Sequence, residues 1–200
     1  GYTQATITEL VGAGYKVFVV HDDISRVSQY KIRRQKGVKF YPRSKMNFVS
    51  IQDLILKTQP ELIVVSGWMD YTYLRVARLS IKKKYNVVCA MDTQWTGSMK
   101  QMFACAIGRS GLLNIFFSHA WICYGQSHYE FARRIGFKEN KIIKDFYSAD
   151  TSIFNKSYEV KMEQKKNGGH FPKVFLFLGR IEKIKGFDLL LKAWEIASKT

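Results

Sequence analysis

The chain alternates short apolar runs with longer stretches in which apolar positions recur every three or four residues. The runs "YKVFVV" (15–20), "VKFY" (38–41), "ELIVVSG" (61–67), "NVVCAMD" (86–92) and "AWICYG" (120–125) are too short for helices and rich in β-branched and aromatic residues. Each predicts a strand, with "KIIKDF" (141–146) a weaker one. Between them, "ATITELVGAG" (5–14), "FVSIQDLILKTQ" (48–59), "YTYLRVARLSIKKKY" (71–85) and "QSHYEFARRIGF" (126–137) carry helical spacing. In the third, Leu74, Ala77, Ile81 and Tyr85 share one face and the Arg and Lys residues take the other. Glycine closes the first helix and Pro60 stops the second. A last strand, "KVFLFLG" (173–179), leads into a last helix over 187–198.

Strands that are apolar almost throughout belong to a sheet covered on both faces, which means parallel strands joined by helices. The expected fold is therefore α/β, a Rossmann-like doubly wound parallel sheet. Such sheets take ligands beyond the carboxyl ends of their strands. That directs attention to His21, residues 66–70, 92–96, 125–127 and 179–186. The polar, lysine-rich stretch "KSYEVKMEQKKNGGHFP" interrupts the alternation. It divides the chain into a first domain (1–155), a linker (156–171) and the opening strand–helix unit of a second domain (172–200).

Composition narrows this only in part. With 46% hydrophobic residues over 200 positions the chain can build a packed core. The longest apolar stretch, residues 102–117, is broken by Gly108, Arg109, Ser110, Gly111 and Asn114, so no membrane span is expected. Cys89, Cys105 and Cys123 form no C-x-x-C and sit among apolar neighbours, as buried reduced thiols do. The four histidines show no metal-ligand spacing, and neither a metal nor another cofactor is indicated. A formal charge of +16 implies attraction to something anionic without choosing among nucleic acid, lipid headgroups and phosphorylated substrates.

The junction "FLFLGRIEKIKGFDLLLKAWE" is more specific. Gly179 ends an apolar run, Gly186 precedes a helix, and Arg180 and Lys185 lie between them. Glycine lets a ligand approach the backbone, a helix start offers unpaired N–H groups, and the two cations add a planar fork and a point charge. These parts suit a diphosphate. Taken alone, the same pattern also describes a solvated basic turn. It is neither a phosphate loop, since no Ser or Thr follows Lys185, nor a dinucleotide G-x-G-x-x-G.

In context, "FLFLGRIEKIKGFDLLLKAWEIA" resembles the opening of the C-terminal domain of glycosyltransferase family 4, within the GT-B fold. The preceding "ICYGQSHYEFARRIGFKENKIIKDFYSADTSIF" resembles the family's strand, helix, strand and Gly-Val-Asp-x-x-x-Phe element, although Tyr147 and Ser148 stand where the family has Asn-Gly. The resemblance implies a retaining transfer of a sugar from a UDP- or GDP-sugar to the hydroxyl of a glycan or lipid-linked acceptor, in polysaccharide or glycolipid synthesis in a bacterium. The nucleotide-sugar is a substrate, not a cofactor. It implies that Arg180 and Lys185 bind the donor diphosphate, with Gly179 and Gly186 giving backbone access. It places the family's first strand before Gly1 and its pair of glutamates beyond Thr200, so the chain is expected to be an inactive fragment.

Four residues are candidates on the acceptor side. Asp92 can orient an acceptor hydroxyl or assist proton transfer, or it can cap a helix, with Thr93 and Thr96 as rivals for that role. Trp95 can stack on a sugar ring or pack between domains. Trp68 and Asp70, in "SGWMD", raise the same alternatives. His21, Asp22 and Asp23 read as a strand-end turn, and Glu130, Arg133 and Arg134 as surface charges. Residues 24–52 contain no acid but do contain Arg26, Lys31, Arg33, Arg34, Lys36, Lys39, Arg43 and Lys45. That stretch reads as a docking face for an anionic membrane surface, placing the protein in the cytoplasm or on the inner face of the cell membrane, as the rim of an anionic acceptor pocket, or as a solvated face. A nucleic-acid face is not expected, because no binding motif accompanies it. The reading from a different class is a non-catalytic basic α/β module that binds nucleic acid or a membrane.

Overall fold

A computed structural model describes residues 2–23, 35–147, 149, 151–168, 176–179, 181 and 183–198. The chain divides into two units, residues 1–150 and 151–200. The first is an α/β unit whose described strands are all parallel. Helix α1 (Tyr2–Gly12) precedes β1 (Val17–His21), which pairs with β2 (Val38–Pro42). Helix α2 (Phe48–Thr58) leads to β3 (Leu62–Ser66), α3 (Tyr71–Lys82) and β4 (Asn86–Met91). Helix α4 (Met99–Arg109), β5 (His119–Ile122), α5 (Gln126–Arg134) and β6 (Ile142–Ile143) complete the unit.

The expected single sheet is two sheets among the described residues: β1–β2, and β3–β4–β5–β6 in chain order. In the common doubly wound order 3-2-1-4-5-6, the place between the second and fourth strands belongs to the first. Here no described strand pairs either β1 or β2 with β3. The two sheets still belong together. Arg43, the residue after β2, reaches the Asp70 carboxylate at the start of α3 at 3.8 Å and lies over the Tyr73 ring. A small cluster of Met46, Ile51 and Val76, with Val20 and Tyr41 packed on it, links β1 and β2 to α2 and α3.

The main core forms on β4. Val87, Val88, Cys89, Ala90 and Met91 are all at most 5% exposed. Successive strand residues face opposite sides, so the sheet is covered on both faces there. Ala77 of α3, Phe131 and Ala132 of α5, and Ile135 and Phe137 beyond it pack into this cluster with Ala120 and Ile122 of β5. The Pro60 stop acts as read, since α2 runs to Thr58 with Gln59 as its C-cap; at its other end Asn47 caps the helix by accepting from the Ser50 N–H at 2.9 Å.

Three expectations change. Strand β6 covers only Ile142 and Ile143: Trp121 Nε1–H donates to the Lys144 carbonyl, Asp145 takes a left-handed φ of 66°, and the chain meets β5 again only where the Phe146 N–H donates to the Ile122 carbonyl. Helix α4 was not anticipated. It buries Cys105 and Gly108 and leaves its apolar side exposed, so its pattern gives no core-facing stripe. An exposed helix of mixed charge, α6 (Ser152–Lys166), begins in the last residues assigned to the first domain and takes up the stretch read as a linker as far as residue 166.

The second unit is described by α6, a 3-10 turn over Lys183–Lys185 and α7 (Phe187–Ala197). Residues 173–175 of the expected last strand lie outside the described residues, and 176–179 are not in a strand. The cysteines are buried and unpaired, as read from their neighbours.

Two predictions follow from the packing. A Cβ on Gly108 would lie 2.1 Å from the Ile135 carbonyl oxygen, whereas one on Gly12 meets nothing within 4 Å. Gly108→Ala should therefore cost at least about 1–3 kcal/mol by overpacking, and Gly12→Ala should gain about 0.4–1 kcal/mol, both read from urea midpoints. Burial pushes the Cys89 thiol up to about 12. A raised thiol pKa favours the fold below the unfolded value of about 8.5, and that contribution is lost as pH climbs from there toward the folded value. A thiol reagent at pH ~8 should leave Cys89 intact in the native chain and modify it in urea, and stability should fall in the alkaline range.

Candidate functional site

A cavity of about 190 Å³ opens at the carboxyl ends of β3 and β4. Ser66, Gly67, Trp68 and Met69 form one side, Ala90, Met91, Asp92 and Thr93 the next, and Phe146 and Tyr147 the third. Gly67 makes the first wall. Its φ of 73° is in the left-handed region, where glycine bears no strain, and its N–H donates to the Ala90 carbonyl at 2.9 Å. The turn is thereby tied to β4 one residue beyond the end of β3.

Asp92 follows directly after the buried Met91 and is itself exposed. It does not cap α4, and neither Thr93 nor Thr96 does. Ser98 holds that place, its Oγ accepting from the Gln101 N–H. The Asp92 carboxylate instead accepts from the Tyr147 hydroxyl at 3.3 Å, long for an O–H···O contact. It also lies close enough to Cys123 that its charge adds to the burial raising that thiol's pKa. An exposed carboxylate at a strand end, bonded only loosely, can accept from a ligand hydroxyl.

The aromatic wall rests on β5. Phe146 donates its backbone N–H to the Ile122 carbonyl, meets the Trp121 ring at 5.1 Å and stacks on Tyr147 at 4.6 Å. Tyr147, 43% exposed, presents a ring to the cavity beside Asp92. A flat aromatic next to a carboxylate suits a ring that bears hydroxyls: the apolar face stacks and the hydroxyls donate.

The sequence candidates are distributed unevenly. Trp68 and Asp92 share the cavity. Trp68 also tilts against Phe131 of the core. Asp70 caps α3, accepting from the Tyr73 N–H at 2.9 Å, and pairs with Arg43, so its carboxylate is engaged in structure. Trp95 is stacked on Phe131, lies under the Arg134 guanidinium and donates its backbone N–H to the Ser127 carbonyl. It packs within the first unit and does not line the cavity. Asp23 accepts from the Ser44 N–H, which fits a strand-end turn. No cluster of three or more potential metal ligands occurs among the described residues.

Phe146 and Tyr147 went unnoticed in the sequence as site residues. The available signal was their position directly after the weak strand "KIIKDF", at the same sheet edge as the other strand ends.

In the second unit Gly186 precedes α7 with φ 67° and ψ 22°, a conformation that favours glycine. Lys185 ends the 3-10 turn before it, and a Cβ on Gly179 would touch the Phe177 ring at 3.3 Å. Arg180 lies outside the described residues, as do Arg26, Lys31, Arg33 and Arg34 of the basic stretch. Of that stretch, Lys36, Lys39 and Lys45 are exposed, while Arg43 pairs with Asp70.

Comparison of the chain with protein-family models, curated protein sequences and solved structures returns no match to any of them. What stands is the class that the fold defines: an α/β protein with parallel sheets and a Rossmann-like first unit.

The two carboxylates differ in kind, and stability should separate them. Asp70→Ala removes a helix cap and an ion pair and should cost about 1 kcal/mol. Asp92→Asn should leave stability within ~0.5 kcal/mol. Urea midpoints of the two variants check this.

Proposed function

We propose that the chain is the acceptor-side domain of a GT-B retaining glycosyltransferase together with the start of its donor-binding domain. The reaction transfers a sugar from a UDP- or GDP-sugar to the hydroxyl of a glycan or lipid-linked acceptor, in the cytoplasm or at the inner face of the membrane. The observation that carries this reading is the junction at residues 179–186. Gly186 adopts the left-handed conformation directly before the eleven residues of α7, and Lys185 precedes it. The unpaired N–H groups of that helix start and Lys185, with Arg180 five positions earlier in the sequence, supply what a diphosphate requires.

The cavity supports the acceptor side. At about 190 Å³ it is smaller than the ~300–1,000 Å³ of sites that enclose a drug-sized ligand. It suits one sugar ring or the end of an acceptor, not a whole nucleotide-sugar.

The roles follow from where charge develops. As the bond from the sugar C1 to the phosphate oxygen breaks, the leaving diphosphate keeps the electron pair and gains negative charge. Arg180 and Lys185 stabilise that charge more in the transition state than in the bound donor. The acceptor oxygen bonds to C1 as its proton passes to the departing diphosphate, and Asp92 orients that hydroxyl through the hydrogen bond it can accept.

With the full-length protein, Arg180→Ala and Lys185→Ala should each lower kcat/KM for sugar transfer by about 10²–10³-fold and weaken UDP or GDP binding in calorimetry. Asp92→Asn should lower transfer while leaving nucleotide affinity unchanged. Full turnover and donor affinity in Arg180→Ala would sink the diphosphate assignment.

A further inference from the structure

Helix α4 carries an exposed face that neither the cavity nor the second unit's junction uses. Met99, Met102, Phe103 and Ile107 are 65, 52, 66 and 58% exposed, and Leu112 and Ile115 in the 3-10 turn after the helix are 44 and 39% exposed. Their spacing of three, one and four residues makes one stripe along the helix. Cys105 and Gly108, on the other side, are buried. Burying that second side fixes which way α4 turns, so the apolar stripe is held outward by the fold. Contiguous exposed apolar side chains of this kind mark an interaction surface.

We infer that this face docks α4 in the plane of an anionic lipid bilayer. Three observations select lipid over a protein partner. Only two charged residues lie between Asp92 and Glu130, Lys100 and Arg109, and both are cations. At about 100° per residue those two fall on opposite flanks of the stripe. There, long basic side chains reach headgroups while their stems lie on the acyl boundary. The stripe itself is Met, Phe and Ile, with no side-chain donor or acceptor to direct a protein interface. The net charge of +16 favours approach to an anionic surface over a basic one.

The geometry is that of a helix lying on the membrane. Eleven residues do not cross a bilayer, and no helix of the described residues is long and apolar enough to do so. Docking here would also bring the loop from Asp92 to Ser98, which joins the cavity wall to α4, next to the bilayer surface. The inference stands on α4 alone. It does not depend on the glycosyltransferase reading or on the basic stretch at residues 26–45.

The test is co-sedimentation of the 200-residue chain with vesicles of phosphatidylcholine alone and of phosphatidylglycerol and phosphatidylcholine in equal parts. Binding to the mixed vesicles should exceed binding to phosphatidylcholine by at least about tenfold, since each cation near an anionic surface contributes roughly fivefold. Phe103→Ser/Ile107→Ser and, separately, Lys100→Glu/Arg109→Glu should each reduce it by about tenfold or more. These positions are exposed, and circular dichroism and the urea midpoint should match the unmodified chain.

A second readout uses the buried native cysteines, which leave an introduced Phe103→Cys as the reactive thiol. An environment-sensitive dye there should shift to the blue on mixed vesicles, and one at Lys84→Cys should not. The inference is overturned if the unmodified chain does not bind, if the Phe103→Ser/Ile107→Ser variant binds as well as the unmodified chain, or if the Phe103→Cys dye stays in water. Concentration-dependent self-association that this double variant abolishes, without lipid binding, would make the face a protein interface and overturn it as well.

Discussion

Everything in the first unit is arranged around the complete burial of β4. Five consecutive residues, Val87 to Met91, are withdrawn from water on both faces of the strand. A strand in that state must have a paired neighbour on each edge and a packed layer above and below, or its backbone and side chains meet water at a cost of several kcal/mol. β3 and β5 satisfy the edges, while α3 and α5 contribute to the layers. The constraint ends abruptly at Asp92, whose exposed carboxylate follows a side chain only 5% exposed. The cavity is a consequence of that boundary. It lies where an apolar strand stops and the chain must turn in water.

The β1–β2 part depends on the same frame less directly. Its cluster is small, and it is tied to α3 through Tyr73, which touches both clusters. Burial raises the Tyr73 phenol pKa, with Asp22 adding to the effect, which brings the end of β1 close to the start of α3. Arg43 couples the same elements through its ion pair and ring contact. The carboxyl ends of β1, β2 and β3 are therefore held together even though no described strand bridges β1 to β3. Leu62 and Val64, on the same face of β3, are 51 and 45% exposed while Val65 on the other face is buried, so one face of this strand is left uncovered.

Much of this was legible because the deciding forces are local. The apolar runs of β1, β3 and β4, the Pro60 stop and the amphipathic α3 each depend on residues within one element, and they appear where expected. The misses share another cause. α4 escaped notice because amphipathic patterning was taken to mean a core-facing stripe, and its apolar side faces outward. β6 was overextended because the contact just past its end joins Trp121 to Lys144, which are 23 positions apart. Trp95 and Asp70 looked equivalent to Trp68 and Asp92 in the sequence. Only Arg134 over Trp95 and Arg43 on Asp70, brought in from other elements, show which pair is engaged in structure. Phe146 and Tyr147 were hidden for a similar reason, since their stacking needs Trp121 from another strand.

A sugar transfer places opposite electrostatic demands on its two ends. The departing diphosphate becomes more negative, so cations belong there. The attacking hydroxyl must lose a proton, so an acceptor of hydrogen bonds belongs at that end. A chain with a net charge of +16 meets the first demand readily and the second only where an acid is kept free of its many cations. Asp70 does not meet it, because Arg43 holds it at 3.8 Å. Glu130 does not, because Arg134 bonds to it along α5. Asp92 is bonded by a neutral phenol at 3.3 Å instead. Under the proposed reading this is the physical reason to favour Asp92 at the acceptor end. Among these carboxylates it is the one whose described partner is uncharged, so a ligand hydroxyl need displace only a long hydrogen bond and not an ion pair.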